Sequence, residues 1–405
     1  MVAACLFVPF VLLNPLLLLL HGYIWTSEGG LSSAVLVYAM KLAPLAYLMG
    51  ASLFLGPKRV LKALRSRIAI VGVVFLLLGL ASPFVYQSQP SLFYYAADAA
   101  GMGATFAYFL VTKELFRTAD TNRLRSVIFR VMVAGAAATS AVILGLYFWS
   151  GGNKVSIPPD IHYGIALAIV LYLTAARASV VLAPLVIIAG VGASQFRMNI
   201  IVAVLATGAA WFWTLIFDRS QMRWGTIGKT ALLVLVLAGL FSQPLLSTFG
   251  RFGSFVWSPS QAIVEIETEG GLPVDQRYLE SYLVFQEMKQ QPASFLTGKG
   301  FGATFDTAEV LKGHGAREHS IHNSIAALFL RNGIFGVLLF LLPAILAVRT
   351  IFCGDRGLYV ASIGLLVIYA ACMTDQYVYW GGYYGIALAV WYCSWRAKPE
   401  EQSAT

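Results

Sequence analysis

Runs of about 20 mostly apolar residues, separated by short polar or basic stretches, recur along the whole chain. A helix of that length spans the roughly 30 Å hydrocarbon layer of a bilayer. The pattern predicts about twelve such helices, over residues 5–24, 32–55, 68–87, 92–112, 127–149, 161–175, 178–193, 198–217, 231–249, 321–348, 357–374 and 379–395. One long polar stretch interrupts the rhythm. The expected organisation is therefore nine helices in residues 1–249, an external segment over 250–320, three more helices in 321–396, and a short tail over 397–405.

The external segment has a pattern of its own. Val274–Gln290 has the spacing of an amphipathic helix, with Asp275 as a cap. Tyr278, Leu279, Tyr282, Leu283, Val284 and Phe285 form its apolar side, and Pro292 ends it. Such a helix either lies on a membrane surface or roofs a cavity. Next comes Thr297-Gly298-Lys299-Gly300-Phe301-Gly302. Glycines in a tight turn can present backbone N–H groups, here with Lys299, to a phosphate. They are equally the punctuation of a plain turn. Where the apolar pattern resumes stand His322 and Asn323. At about 100° per residue, Ala326, Gly333 and Gly336 fall near the helix face of His322, and small residues there admit a close neighbour.

Composition settles the broad class. With 59% hydrophobic and 12% charged residues and a mean hydropathy of +0.75, the expected fold class is all-α and integral to a membrane. The net charge of +9 follows from orientation. Pro57–Arg67 and Lys113–Ser126 hold nine Lys and Arg between them and lie two predicted spans apart, so both face the cytoplasm. Arg177, Asp218–Lys229, Arg349–Arg356 and Arg396–Thr405 then fall on the same side. Both termini are expected in the cytoplasm and residues 250–320 outside. No basic block interleaved with aromatics suggests nucleic acid. The amino terminus lacks a basic n-region and is kept as the first span. None of the four cysteines falls in the external segment, so no structural disulfide is expected.

Topology brings three distant residues to the outer side: Arg197, between the seventh and eighth spans, Arg277 and His322. Two guanidinium groups suit a diphosphate, each binding phosphate oxygens as a bidentate fork. A histidine suits proton transfer near neutral pH. Taken singly, either arginine also fits a lipid-headgroup anchor, and the histidine a structural hydrogen-bonding group.

Ser194 with Arg197, Arg277, the Pro292 to Gly302 stretch, and His322-Asn323 followed after nine residues by Gly333-x-x-Gly336 together resemble the O-antigen ligase and polymerase family. The resemblance covers roughly residues 190–345, and Val337 departs from the ligase form at the position after the last glycine. It implies inverting, metal-independent glycosyl transfer at the periplasmic face of the bacterial inner membrane, with an undecaprenyl-diphosphate-linked glycan as donor and no cofactor. By the same resemblance, Arg197 and Arg277 hold the diphosphate, His322 orients or deprotonates the acceptor hydroxyl, and Asn323 helps to set its ring. The acceptor is lipid A–core oligosaccharide in a ligase and a lipid-linked glycan in a polymerase. The ligase is slightly favoured.

Further residues fit the same site. Arg317 and His319 are candidates for contact with diphosphate or sugar, and Lys41, deep for a headgroup anchor, for diphosphate. His314, Glu318, His319 and His322 lack metal-site spacing, so no metal is expected. Asp98, Arg331 and Asp375 are charges within spans and require partners. For Arg331 a structural ion pair is the expectation. The rival classes are a secondary transporter, which about twelve spans would also suit, and an export scaffold, which would not need the Arg/Arg/His set.

Overall fold

A computed structural model of the protein describes residues 46–86, 91–118, 121–149, 187, 190, 273–307, 317–319, 321–353, 356–372 and 382–396. These residues are mostly helical. In chain order the helices are α1 (Ala46–Leu55), α2 (Pro57–Leu64), α3 (Arg67–Val85), α4 (Leu92–Thr118) and α5 (Thr121–Trp149). The external segment gives α6 (Pro273–Lys289), the single turn α7 (Ser294–Thr297), and a two-residue antiparallel pair, β1 (Phe305–Asp306) with β2 (Arg317–Glu318). Helices α8 (Ser324–Ile351), α9 (Arg356–Cys372) and α10 (Gly382–Arg396) complete the described chain.

The helices fall close to where the apolar pattern puts them: 68–87 against Arg67–Val85, 357–374 against Arg356–Cys372, 379–395 against Gly382–Arg396. The basic connections differ. Pro57–Leu64 is itself a helix, and α4 runs on through Lys113 to Thr118 before α5 resumes at Thr121. Lys and Arg are good helix formers, so they lengthen a helix beyond its apolar stretch. Gly56, at φ 77°, breaks the chain between α1 and α2, and Pro57 then opens α2 where its missing N–H costs nothing. The helices expected at 5–24, 161–175, 198–217 and 231–249, and most of 32–55 and of 178–193, lie outside the described residues.

Among the described residues, α8 is the one helix long and apolar enough to cross a membrane. The pair Pro57–Leu64 and Ala69–Val85 meets the same criterion jointly, bent by 70°. Large apolar side chains point outward from these helices: Leu338, Leu342, Ile345 and Val348 on α8, Val74, Leu77 and Phe84 on α3.

Helix α10 packs along α4, and α9 lies between α8 and α10. The external elements dock on this bundle. Leu283, Val284 and Met288 of α6 share one core with Phe75 of α3, Met102 of α4, Leu330 and Phe340 of α8, and Trp391 of α10. Helix α6 departs from a simple amphipathic pattern. It starts at Pro273, so Asp275 falls inside the first turn and is not the cap. Its buried face carries two carboxylates, Glu280 and Glu287, beside the apolar trio, while Tyr282 and Phe285 are exposed.

Candidate functional site

The approach to α8 is built from three layers: a broken helix, a glycine loop that fills the break, and acidic residues that fix the polar side chains around it. Asn323 caps α8, its Oδ1 accepting from the N–H groups of Ile325 at 2.8 Å and Ala326 at 3.4 Å. Ten residues on, Gly333 leaves the helical conformation with φ 62° and ψ −162°. Such a break frees carbonyls that would otherwise accept from residues one turn later. The loop after α7 takes them: Lys299 N–H donates to Leu330 O at 2.7 Å and Gly300 N–H to Arg331 O at 3.0 Å. A Cβ on Gly333 would overlap the Leu296 carbonyl, and one on Gly298 the Arg331–Asn332 peptide. Both glycines exist for this backbone-on-backbone contact.

That arrangement corrects one expectation and gives another its detail. The amides of the glycine turn do not form a phosphate cradle, because each has an internal acceptor. Gly298 donates to Ser294 O at 2.7 Å, Phe301 to Gly79 O at 2.8 Å, and Gly302 to Asp98 Oδ2 at 2.8 Å. The small residues of this face do admit close neighbours, though at Gly333 the neighbour is not a helix. A loop enters there instead, and at Gly336 it is the Phe75 ring of α3 that comes close.

His322 sits just outside the cap of α8, facing α6. Glu280 Oε1 lies 2.8 Å from its Nδ1 and Glu280 Oε2 2.8 Å from its backbone N. The carboxylate side chain is 1% exposed and the imidazole 40%. A carboxylate can only accept, so in the neutral ring the proton belongs on Nδ1 and the basic lone pair on Nε2. The expected assistant of this ring, Asn323, has its oxygen committed to the cap. Glu280 holds the ring in its place. Arg277 is in α6 too, one turn before Glu280. Arg197 and Lys41 lie outside the described residues, as do His314 and Asp375.

Behind His322 is a buried polar cluster. Arg331 Nε lies 2.7 Å from Asp98 Oδ2, both side chains fully buried. The ion pair expected for Arg331 is therefore present, with α4 supplying the partner. His319 Nε2 is 3.0 Å from the same Asp98 oxygen and 2.9 Å from an Arg331 terminal nitrogen. That nitrogen also reaches the His319 carbonyl at 3.1 Å. Protonation of Nε2 reconciles these distances: the ring donates to Asp98 while the guanidinium donates to the carbonyl. His319, a candidate for substrate contact, is thus a buried member of this cluster, and Tyr94 covers its ring.

Arg317 and Lys299 converge on the other α6 carboxylate. Glu287 Oε1 accepts from Lys299 Nζ at 2.7 Å and from Arg317 at 2.8 Å. Its Oε2 accepts from the Asp306 N–H at 3.3 Å. Burial alone would raise the Glu287 carboxyl, but the hydrogen bonds and charges of Lys299 and Arg317 outweigh it and hold it below the usual carboxylate range. Lys299 is buried, whereas the Arg317 side chain stays half exposed while also donating to Thr304.

Sequence reasoning passed over both carboxylates, although one signal was present. Glu280 and Glu287 are seven residues apart, so they share a helix face with Val284 and cannot both be on a solvated side. No family model matches the chain, and no curated protein matches it. The chemical capacity of the site therefore stands on its own geometry: an accessible imidazole, fixed through one nitrogen by a buried carboxylate, beside a helix that also carries an arginine.

Proposed function

We propose that the protein is an inverting, metal-independent membrane glycosyltransferase that moves a glycan from undecaprenyl diphosphate to an acceptor hydroxyl at the periplasmic face of the bacterial inner membrane. In this reading about twelve helices cross the bilayer, both termini are cytoplasmic, and α6 and the glycine loop roof an outward-facing site. The observation that carries it is the Glu280–His322 pair, with Nδ1 tied at 2.8 Å and a ring that is 40% exposed. A carboxylate so placed orients the imidazole and steadies the charge it acquires on taking a proton.

The reaction follows from that pair and the two arginines. The acceptor oxygen attacks the anomeric carbon from the side opposite the diphosphate. Its proton passes to His322 Nε2, the sugar–phosphate bond breaks, and the bonding electrons leave with polyprenyl diphosphate. Arg277 and Arg197 neutralise the charge that grows on the leaving group. Apolar side chains exposed on α3 and α8 suit a protein surrounded by lipid, where the polyprenyl tail also resides.

A ligase acting on lipid A–core is the first reading. Val337, which departs from the ligase form of the motif, keeps open the second, a polymerase with a lipid-linked acceptor. A lipopolysaccharide gel from cells lacking the protein separates them. Unsubstituted core with long lipid-linked chains accumulating indicates the ligase, and core bearing single repeats the polymerase. A normal ladder contradicts both. Flux of lipid-linked glycan without bond cleavage would mark a transporter.

A further inference from the structure

Tyr94 stands third in α4 and lies flat on His319, with ring centroids 4.2 Å apart and planes 3° from parallel. The imidazole beneath is not free to turn, because Asp98 accepts from its Nε2 and Arg331 donates to its backbone carbonyl. Tyr94 is nevertheless 38% exposed. Among the described residues its hydroxyl has no hydrogen-bond partner. Neighbouring Tyr95 contrasts with it, donating its hydroxyl to Leu80 O at 2.9 Å.

The histidine under this platform is close in the chain to the candidate base. His319 and His322 are three residues apart, so at about 3.3–3.6 Å per residue their Cα atoms are within roughly 11 Å. That is the scale of one or two linked sugar rings. A pyranose offers a face of axial C–H groups that stacks on an aromatic ring, while its equatorial hydroxyls look for polar partners such as a phenol. We infer that Tyr94 is a sugar-stacking subsite, binding a pyranose ring of the glycan substrate beside the one that reacts at His322. This rests on the glycosyl-transfer reading above and adds a binding residue to it. A stacking tyrosine loses little freedom when it binds, because its two χ angles are already fixed against His319.

The test uses the full-length protein in nanodiscs, with polyprenyl-diphosphate glycan extracted from cells that lack the protein as donor. Rough lipopolysaccharide, or the lipid-linked glycan itself, serves as acceptor. Tyr94→Phe keeps the ring, whereas Tyr94→Leu and Tyr94→Met remove it and retain apolar volume. For the ring-less variants KM for one of the two substrates is expected to rise about three- to tenfold, the scale of an aromatic stacking contact, with kcat within about twofold of wild type. Tyr94→Phe, which loses only the phenol, should raise KM less than either ring-less variant. The two ring-less variants guard against loss of folding in either one, and a melting curve identifies the folded species. Unchanged KM in a folded ring-less variant overturns the subsite while leaving glycosyl transfer intact. A wild-type protein that transfers nothing overturns the functional reading, and the subsite with it.

Discussion

Glu280 grips His322 twice, through the ring and through the backbone amide, each at 2.8 Å. A single carboxylate thereby fixes both the position of the chain ahead of α8 and the tautomer of the imidazole. Glu280→Gln keeps the shape but can donate where the carboxylate only accepts, so the preferred tautomer is lost. Transfer should fall by about 10²-fold, within the usual range of a general base, while the protein still inserts and melts cooperatively. Turnover by the purified variant, measured beside its melting curve, checks this. Wild-type turnover would remove Glu280 from the mechanism.

Asp98 and Arg331 form a fully buried pair at 2.7 Å. Removing one partner strands a buried charge, which costs roughly 3–5 kcal/mol, whereas replacing both by apolar groups is often close to neutral. Asp98→Ala should therefore melt well below wild type, and the double variant Asp98→Ala, Arg331→Met should recover much of the loss. A thermal-melt double-mutant cycle measures it. Strictly additive losses would mean that the two charges do not depend on each other.

Gly333 combines φ 62° with a backbone neighbour where its Cβ would go, while Gly103 and Gly145 have open space there. Alanine at Gly333 should destabilise the protein and unseat the glycine loop. The same change at Gly103 or Gly145, inside helices, should be neutral or stabilise by up to about 1 kcal/mol. Melting temperatures of the three variants decide the matter, and equal effects would discard the role assigned to the break.

Glu287 titrates below an ordinary carboxylate when folded. A group with a lowered folded pKa contributes its stability fully above its unfolded value, about 4.3, and loses it as pH falls through the lower folded value. The stability gap between wild type and Glu287→Gln should thus be constant from about pH 7 to 5 and shrink below about pH 4.3. Melting curves across that range test it. A gap that persists undiminished at the acid end would show that Lys299 and Arg317 do not depend on the Glu287 charge.

Much of the helical layout was legible because apolar runs report helices whatever they pack against. Apart from the span expected at 32–55, of which only the end is described, the described spans begin and end within a few residues of the pattern, save for the basic extensions of α4 and α5. Asn323 was visible as a neighbour of His322 but not as the cap of α8, a role set by where the helix starts. The partners of His322 and Arg331 were not legible. Glu280 lies 42 residues before His322, and Asp98 is 221 residues from His319. Only tertiary packing selects one carboxylate among many. The fate of the glycine-turn amides was equally hidden, since the acceptors of Lys299 and Gly300 are carbonyls freed by the break at Gly333, and those of Phe301 and Gly302 belong to α3 and α4.

The most direct test of glycosyl transfer at His322 is reconstitution in nanodiscs with radiolabelled polyprenyl-diphosphate glycan and both candidate acceptors. Wild-type protein is expected to move label to an acceptor and release polyprenyl diphosphate, in the presence of a chelator as in its absence. His322→Ala should do neither while melting like wild type. Undiminished transfer by His322→Ala, or intact donor after prolonged incubation with wild type, would contradict the account.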